Sequence, residues 1–381
     1  MTGLVLVINA GSSSLRYAVL EPQSGRAVFE GYQHDIGHGG PPDHEAAVHL
    51  ALDELRNDGQ LGDTASLVAV GHRVVHGGSR FHDPVLIDDA VLSQIEALTP
   101  LAPLHNPGSL AGIAAARAAF PNTPQVAVFD TAFHHTLPAP AHTYAVPRVW
   151  RDDYAVRRYG FHGISFAFVA RRAAQLLDKP LTDANLILLH LGNGASVCAV
   201  RDGRSVDTSM GLSPLEGLVM GTRSGDVDPC LGPYLSRVAA LDSEHYEDAL
   251  NHDSGLMGLS GTSDMKELEK RRAGGDVDAA LAFDVMAYRL RKYIGAYAVV
   301  LGRVDAIAFT GGVGEHSDAL RAAVLDDLAI LGVELDAMIN RQPTSPERCI
   351  TTPMSAIPAY VIPTNEELEI ARSCARVLAS A

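Results

Sequence analysis

The chain has 381 residues, of which 47% are hydrophobic and 20% charged, as is typical of a globular protein with two or three domains. Its formal net charge is −15, from 30 basic and 45 acidic residues. This acidic balance argues against nucleic acid or an anionic membrane as a partner. It would also repel an anionic substrate at long range, so a site for such a substrate needs a few closely placed arginines.

The four cysteines are scattered and contain no Cys-x-x-Cys pair, which predicts neither a disulfide framework nor a zinc site. The first residues lead directly into a predicted strand without a basic leader. No apolar run approaches the roughly 18 to 20 residues that span a bilayer. We therefore expect a protein of the reducing cytoplasm.

Strands alternate with helices in the first half of the chain, which predicts an α/β fold. We expect strands near 4–9, 14–20, 67–71 and 125–129, and helices near 44–57 and 106–119. The segment 137–149 is rich in proline and lacks clear periodicity. It therefore marks a domain boundary near residue 149.

The second half repeats this alternation. We expect strands near 186–190, 196–200 and 305–309, a long helix near 276–302, and a helical pattern over 317–331. The last helix, near 365–378, has an apolar face that could cover the first domain. The predicted domains are 1–148 plus 366–381, and 149–365.

A turn of glycine and serine joins the first two strands. Residues 9–14 read Asn-Ala-Gly-Ser-Ser-Ser and offer hydroxyls and free backbone N–H groups, which can hold a nucleotide phosphate. An ordinary hairpin, whose serines only satisfy the turn, explains this segment equally well when it is taken alone.

Similar glycine-rich turns occur at two further places in the chain. Residues 190–194 read His-Leu-Gly-Asn-Gly between two apolar strands, and residues 311–315 read Gly-Gly-Val-Gly-Glu between a strand and a helical pattern. A glycine turn that leads into a helix is an anion site. Three such turns indicate a duplicated fold whose halves face one nucleotide across a cleft.

Polar clusters also end several apolar strands, where open α/β sheets bind ligands. They occupy residues 71–78, 129–131, 158–163, 220–226 and 363–367. In this order, and with the glycine turns, these motifs resemble the acetate and propionate kinase family, which shares a superfamily with sugar kinases, heat-shock chaperones and actin. The resemblance runs from Val5 to Ala371.

The resemblance implies two duplicated actin-like (ribonuclease H-like) domains, the second of which binds nucleotide and forms a homodimer. It also implies reversible, direct in-line transfer of the γ-phosphoryl group of ATP to acetate, giving acetyl phosphate and ADP. Phosphoryl transfer depends on positioning and charge stabilisation, so it requires cations around the transferred group.

By this resemblance Arg73 binds the substrate carboxylate, in the bidentate manner that a guanidinium offers, and Arg223 stabilises the transferring phosphoryl group. His162 donates a hydrogen bond to the same group. Without the family match, surface positions for the arginines and core packing for His162 are the commoner outcomes.

Asp130 stands at the position of an essential acidic residue, sometimes described as a proton donor or acceptor. A carboxylic acid substrate with a pKa near ~4 is already ionised at pH 7, so no base is required. Our hypothesis is that Asp130 orients Arg73 or a magnesium-bound water.

Asn9 and Glu366 match the magnesium positions of the family, with Mn²⁺ as the alternative ion. A favourable helix-dipole position is a second interpretation of Glu366. For ATP and ADP the resemblance indicates sixteen positions, namely Ser12, Ser14, Arg16, His190, Leu191, Gly192, Asn193, Gly194, Asp264, Met265, Lys266, Gly312, Val313, Gly314, Glu315 and His316.

The pocket for the acyl methyl group matches Val75, Leu104, Phe161 and Pro214. Because such a pocket discriminates one methylene by only about 1 to 3 kcal/mol, propionate or another short carboxylate stays an alternative to acetate. His105 is either a substrate-side histidine or a neighbour of a helix cap.

The chain departs from the family pattern beside the histidine motif, where Ile164 and Phe166 replace threonine and histidine. We predict a drier and more rigid support for His162. Near the nucleotide, Arg16 replaces lysine, Lys266 replaces arginine and His316 replaces asparagine.

Two functions of other classes compete with a kinase. A non-catalytic actin-like ATP-binding protein would use the same glycine turns, and a metalloenzyme would use some of the 16 histidines. The sequence has no His-Glu-x-x-His motif, which disfavours the latter. A butyrate kinase is the nearest rival of the same class, and the turn at residues 9–14 favours the acetate type.

Overall fold

The computed structural model describes residues 3–11, 14–37, 39–57, 67–103, 105–342 and 345–380. The predicted site residues Ser12 and Leu104 lie outside the described residues. Among the described residues, no helix has both the length and the hydrophobicity needed to cross a bilayer.

Twelve strands are described. They are β1 (Leu4–Ala10), β2 (Leu15–Leu20), β3 (Ala27–Gln33), β4 (Leu67–Val74), β5 (Val85–Leu86), β6 (Gln125–Phe129), β7 (Leu186–Leu191), β8 (Ala195–Arg201), β9 (Arg204–Thr208), β10 (Ala306–Thr310), β11 (Arg348–Cys349) and β12 (Ala359–Val361).

Fifteen α-helices are described. They are α1 (His44–Asn57), α2 (Asp89–Ala97), α3 (Asn106–Ala119), α4 (Ala139–His142), α5 (Arg148–Tyr154), α6 (Gly163–Leu176), α7 (Leu231–Ala239), α8 (Ser243–His252), α9 (Gly255–Ser260), α10 (Met265–Ala273), α11 (Val277–Leu301), α12 (Gly311–His316), α13 (Asp318–Leu325), α14 (Ala337–Arg341) and α15 (Glu366–Ser380).

The strands form two six-stranded sheets of identical topology. The first has the order β3-β2-β1-β4-β6-β5, and the second has the order β9-β8-β7-β10-β12-β11. In both sheets a three-stranded antiparallel meander is followed by two parallel strands and one short antiparallel edge strand. The α/β class and the duplication predicted from the sequence are confirmed.

The chain divides into two compact units. Unit 1 comprises residues 1–135, 163–167 and 365–381, and unit 2 comprises residues 136–162 and 168–364. The sequence analysis put the first boundary at residue 148. The structure moves it to residue 135 because the following segment is bonded to the second sheet: Thr136 donates to the carbonyl of Ser205 at 2.8 Å.

The core of unit 1 has two faces, because side chains alternate along each strand. Leu6 and Ile8 of β1 pack in a cluster with α1 and α3. Val5 and Val7 face the other way, towards α15, in a cluster that also contains Ile164. The last helix therefore covers the first sheet, as its apolar face suggested.

Two predicted local structures differ from the observed ones. The expected turn at 311–315 is the helix α12, whose first turn is closed by a hydrogen bond from Gly311 N–H to Glu315 Oε1 at 3.0 Å. The helical pattern expected over 317–331 is α-helical only to Leu325 and continues as a 3₁₀-helix to Leu331.

The buried histidine of β4 makes the stability of unit 1 depend on pH. His72 lies 2.8 Å from Gln125 through Nε2 and Oε1, and burial lowers its pKa from 6.5 to about 4. As the pH falls from 6.5 towards 4, His72 becomes protonated in the unfolded chain but stays neutral in the folded chain. The contribution of His72 to folding stability is therefore fully present above pH 6.5 and is lost progressively as the pH falls towards 4.

We expect wild-type protein to lose about 2 kcal/mol of unfolding free energy through His72 between pH 7 and pH 5. The variant His72→Gln should lose correspondingly less, as measured by urea denaturation at the two pH values. His49→Gln, at an exposed position of α1, is the control and should behave as wild type. An unchanged pH dependence in His72→Gln would contradict this assignment.

Candidate functional site

The carboxyl ends of three neighbouring strands bring polar side chains together in unit 1. Asn9 is the penultimate residue of β1, Arg73 that of β4, and Asp130 directly follows β6. Since β1 pairs in parallel with β4, and β4 with β6, these positions share one edge of the sheet. The structure thus unites three residues that the sequence predicted at the site.

Arg73 is the centre of this cluster. Its Nε and Nη2 both donate to Oδ2 of Asp130, at 2.9 and 2.5 Å. Burial alone would lower the pKa of Arg73, but the negative charges of Asp130, Glu366 and Glu367 raise it above its ordinary value. The guanidinium therefore stays charged although its side chain is only 15% exposed.

The remaining donors of Arg73 limit how it can bind a substrate. Its Nη1 donates to the backbone oxygen of Ala10 at 3.2 Å and to Oδ1 of Asn9 at 3.5 Å. A guanidinium has five N–H groups. Four of them are engaged within the described residues, which leaves one on Nη2. Bidentate binding of a carboxylate by Arg73, as expected from the sequence, would require one of these hydrogen bonds to be released.

Two acidic residues at the start of α15 complete the unit 1 cluster. The amide nitrogen of Asn9 donates to Oε2 of Glu366 at 3.2 Å and to Oε1 of Glu367 at 3.0 Å. Carboxylate and amide oxygens are the ligands that Mg²⁺ prefers, so this donor set fits the ion. Glu367 was quoted in the sequence motif but not assigned to the site. Its place beside Asn9 could be recognised only in the fold.

In unit 2, His162 lies at a sharp break in the chain, with a left-handed backbone (φ 58°) immediately before α6. Its Nδ1 is 2.8 Å from Oγ of Ser196, a buried residue of β8. Its ring stacks on that of His190, with centroids 4.2 Å apart. These two contacts fix the direction in which Nε2 points.

Gly194 lies between the side chains of His162 and Arg223. A methyl group added to Gly194 would lie 3.4 Å from Nη1 of Arg223 and 3.7 Å from Nε2 of His162. The open space beside this glycine is therefore bordered by two potential donors. All three residues were predicted site residues, and the structure brings them together.

Arg223 is a cation without a matching anion. Its Nη1 donates to the backbone oxygen of Pro214 at 3.4 Å, and burial lowers its pKa. Across the described ranges, no carboxylate forms an ion pair with it. A largely desolvated guanidinium in this condition favours a bound anion.

Half of the predicted nucleotide set lines a cavity of about 500 Å³ in unit 2. Eight of the predicted positions contribute to its wall, namely Gly192, Asn193, Asp264, Met265, Lys266, Gly312, Val313 and His316. The cavity lies where β7 turns into β8 and where β10 leads into α12, so the second and third glycine turns meet there.

Six further lining residues were not predicted from the sequence. They are Gly221, Leu256, Ser263, Glu269, Met286 and Ser317. Leu256 and Met286 are buried apolar residues on helices, which a sequence pattern cannot separate from ordinary core residues. Ser317 and Glu269 are hydrogen-bonded to each other, and Ser317 could have been suggested by its position next to the third glycine turn.

The other predicted nucleotide residues that the structure describes do not line this cavity. His190 stacks on His162, while Leu191 and Gly314 are buried in β7 and α12, and Glu315 caps the first turn of α12. Ser14 and Arg16 belong to unit 1, where Arg16 is exposed with its guanidinium 5.5 Å from the centroid of the Tyr32 ring.

The described residues of the predicted acyl pocket are divided between the units. Val75 is buried in unit 1, whereas the buried Phe161 and the half-buried Pro214 belong to unit 2. His105 is half-buried at the N-cap position of α3 in unit 1.

Ile164 and Phe166, which depart from the family pattern after His162, pack in the core of unit 1. Ile164 packs in the cluster beneath α15, and the ring of Phe166 lies edge-on to His134 with centroids 5.7 Å apart. Their described contacts are therefore with unit 1, while His162 contacts Ser196 and His190 of unit 2.

Comparison with known proteins identifies the family. The sequence profile of the Acetokinase family matches residues 4–372. An acetate kinase of Streptomyces griseus subsp. griseus is 49% identical over 388 residues, which span 96% of this chain and 94% of the relative.

Solved structures agree with this match. The acetate kinase of Porphyromonas gingivalis has a TM-score of 0.91 at 38% identity and covers 99% of this chain and 100% of its own. The propionate kinase of Francisella tularensis subsp. tularensis has the same TM-score and identity, with 97% and 98% coverage. This chain belongs to the acetokinase family.

Proposed function

We propose that this protein catalyses reversible transfer of the γ-phosphoryl group of ATP to acetate, giving acetyl phosphate and ADP. A carboxylate oxygen forms a bond to the γ-phosphorus while the bond from that phosphorus to the β,γ-bridging oxygen breaks. Family membership supports the reaction class. The observation that carries the proposal is Arg223, a largely buried cation without a carboxylate partner in the described residues, bordering the space beside Gly194.

In this proposal Arg223 supplies fixed positive charge to the equatorial oxygens of the phosphoryl group. Because the guanidinium is already desolvated, little reorganisation is needed when the charge of the transition state develops. Gly192, Asn193 and Gly221 line the nucleotide cavity, and Gly194 next to them adjoins Arg223. The γ-phosphoryl group of a nucleotide bound in the cavity would therefore reach the arginine.

His162 would donate a hydrogen bond from Nε2 to the same group. For this the Nδ1 atom must be the acceptor, and the hydroxyl of Ser196 at 2.8 Å can act as its donor. With Ser196 as the donor, the neutral imidazole carries its proton on Nε2.

We propose that unit 1 binds the carboxylate through the remaining donor of Arg73. Asp130 holds the guanidinium by two of its nitrogens, which agrees with an orienting function for this residue. The substrate carboxylate is ionised at neutral pH and needs no base.

Asn9, Glu366 and Glu367 would hold the magnesium ion of the nucleotide, with Mn²⁺ as an alternative. When bound, such an ion neutralises charge on the phosphate oxygens. Assembly as a homodimer and a cytoplasmic location belong to the same proposal and are supported by the resemblance to the family.

A short carboxylate other than acetate is the second candidate substrate. It is favoured by the equal similarity of this chain to solved acetate and propionate kinases. The two acids differ by one methylene, which a small apolar pocket distinguishes by about 1 to 3 kcal/mol.

Hydroxylamine trapping tests the reaction directly. With ATP, Mg²⁺ and acetate we expect acyl hydroxamate, and a series of C2 to C4 acids gives the preferred chain length. Arg223→Ala should lower kcat by roughly 10²- to 10³-fold, because a preorganised donor to the transition state is lost. Arg237→Ala, at an exposed position of α7, is the matched control. Binding of ATP without hydroxamate from any acid would instead favour a non-catalytic ATP-binding protein.

Replacement of Asp130 separates an orienting residue from a general base. Asp130→Asn keeps one acceptor for Arg73 but removes the negative charge, so we expect a higher KM for the carboxylate and a lower kcat. The shape of the pH profile of kcat between pH 6 and 8 should remain that of wild type. A wild-type group that titrates near pH 7 and vanishes in Asp130→Asn would establish proton transfer by this residue.

The space beside Gly194 can be filled by a single methyl group. Gly194→Ala should lower kcat by more than about tenfold by displacing the phosphoryl group, while thermal stability changes little. Gly295→Ala is the control, since a methyl group there meets no atom within 4 Å in α11. Full activity of Gly194→Ala would exclude this space as the position of the transferred group.

A further inference from the structure

An ion pair in unit 2 joins the segment before His162 to the loop that leads to Arg223. Arg158 donates from Nη2 to Oε1 of Glu216 at 2.6 Å. The two side chains are 16% and 32% exposed, so the pair is well shielded from water. Nothing in the function proposed above uses either residue.

Arg158 also fixes the beginning of the loop. Its Nη1 donates to the backbone oxygens of Thr208, Ser209 and Met210, at 2.9, 3.0 and 3.1 Å. The planar fork of an arginine reaches these carbonyls and Glu216 at the same time. A lysine, with one ammonium group, cannot do so.

Tyr144 is hydrogen-bonded to the other carboxylate oxygen of Glu216. Its hydroxyl donates to Oε2 of Glu216 and accepts from the N–H of Leu212 at 3.0 Å. Backbone hydrogen bonds from Tyr159 and Gly160 to the oxygen of Gly211, at 3.0 and 3.3 Å, tie the same two segments. We call the side chains of Tyr144, Arg158 and Glu216 the latch.

Both segments continue into the candidate site. The first reaches His162 two residues after Gly160. The second contains Pro214, whose backbone oxygen accepts from Nη1 of Arg223 at 3.4 Å. The latch therefore connects the two donors that border Gly194.

Burial works against the charge of Arg158, but Glu216 and Tyr144 outweigh it and keep the pKa of Arg158 above its ordinary value. Arg158 is consequently charged at neutral pH. Removal of Arg158 or Glu216 would leave a partly buried charge without its partner.

We propose that Arg158 and Glu216 are positioning residues for phosphoryl transfer, which hold the His162 segment and the Arg223 loop in the register at which both donors reach one phosphoryl group. This inference rests on the proposed function. The nucleotide cavity is lined by other residues, so the latch acts on the chemical step rather than on nucleotide affinity.

The test compares Arg158→Lys and Glu216→Gln with the control Arg172→Lys. The control alters another two-point ion pair of unit 2, in which Arg172 contacts Glu347 at 2.6 and 2.7 Å. Measurements are kcat and KM for acetate and ATP, the dissociation constant of ADP, and thermal stability.

We expect kcat to fall roughly 30- to 100-fold in both latch variants, because a displacement of about 1 Å at a reacting group has this effect. The dissociation constant of ADP should change less than about threefold, and the control should retain wild-type kinetics. Retained kcat in both folded latch variants overturns the inference. So does a loss of ADP affinity that parallels the loss of kcat, which indicates general damage.

Crystal structures of wild type and Arg158→Lys give a readout that needs no activity. The bond from Arg223 Nη1 to the oxygen of Pro214 should be broken in the variant, and its persistence with unchanged His162 would overturn the inference. If Arg158→Lys does not fold, Tyr144→Phe is analysed in its place, since it removes only the hydroxyl. A wild-type protein without kinase activity refutes the proposed function, and the crystal structures then decide the inference by themselves.

Discussion

Two guanidinium groups held largely out of water stand out among the candidate site residues of this protein, and each has a different environment. Arg73 is paired with Asp130 and surrounded by two further carboxylates, so its charge is compensated inside unit 1. Within the described part of the chain, Arg223 donates to a backbone oxygen and pairs with no carboxylate, and burial lowers its pKa. In a chain with a net charge of −15, such a cation supplies local positive charge against the overall field.

The duplicated sheet explains how the side chains of the candidate site come to lie at strand ends. Asn9 and His190 are the penultimate residues of β1 and β7, the first strands of the two sheets. In each sheet the following parallel strands bring further loops to the same edge. One topology, used twice, thus gathers Asn9, Arg73 and Asp130 at the strand ends of unit 1 and places two glycine-rich segments at the cavity of unit 2.

Strands and helices with strong periodicity could be predicted, as for α1 and α3, because local hydrophobic spacing sets them. Short elements such as α4, α5 and β5 depend on tertiary packing and have no clear hydrophobic pattern in the sequence. For the site, glycine turns and strand-end polar residues indicated Arg73, Asp130, His162 and Arg223. Cavity residues such as Leu256 and Met286 could not be predicted, since a buried apolar side chain looks the same in a core and in a ligand pocket.

The sequence by itself determined the fold class, the duplication and the residue types able to bind phosphate and carboxylate, because these follow from local patterns and ordered motifs. Tertiary structure alone decided which donors remain available. Arg73 directs four N–H groups to residues far away in the chain, and Glu367 joins Asn9 across more than three hundred residues. Hydrogen-bond partners of this kind are set by the meeting of strand ends, which no local pattern encodes.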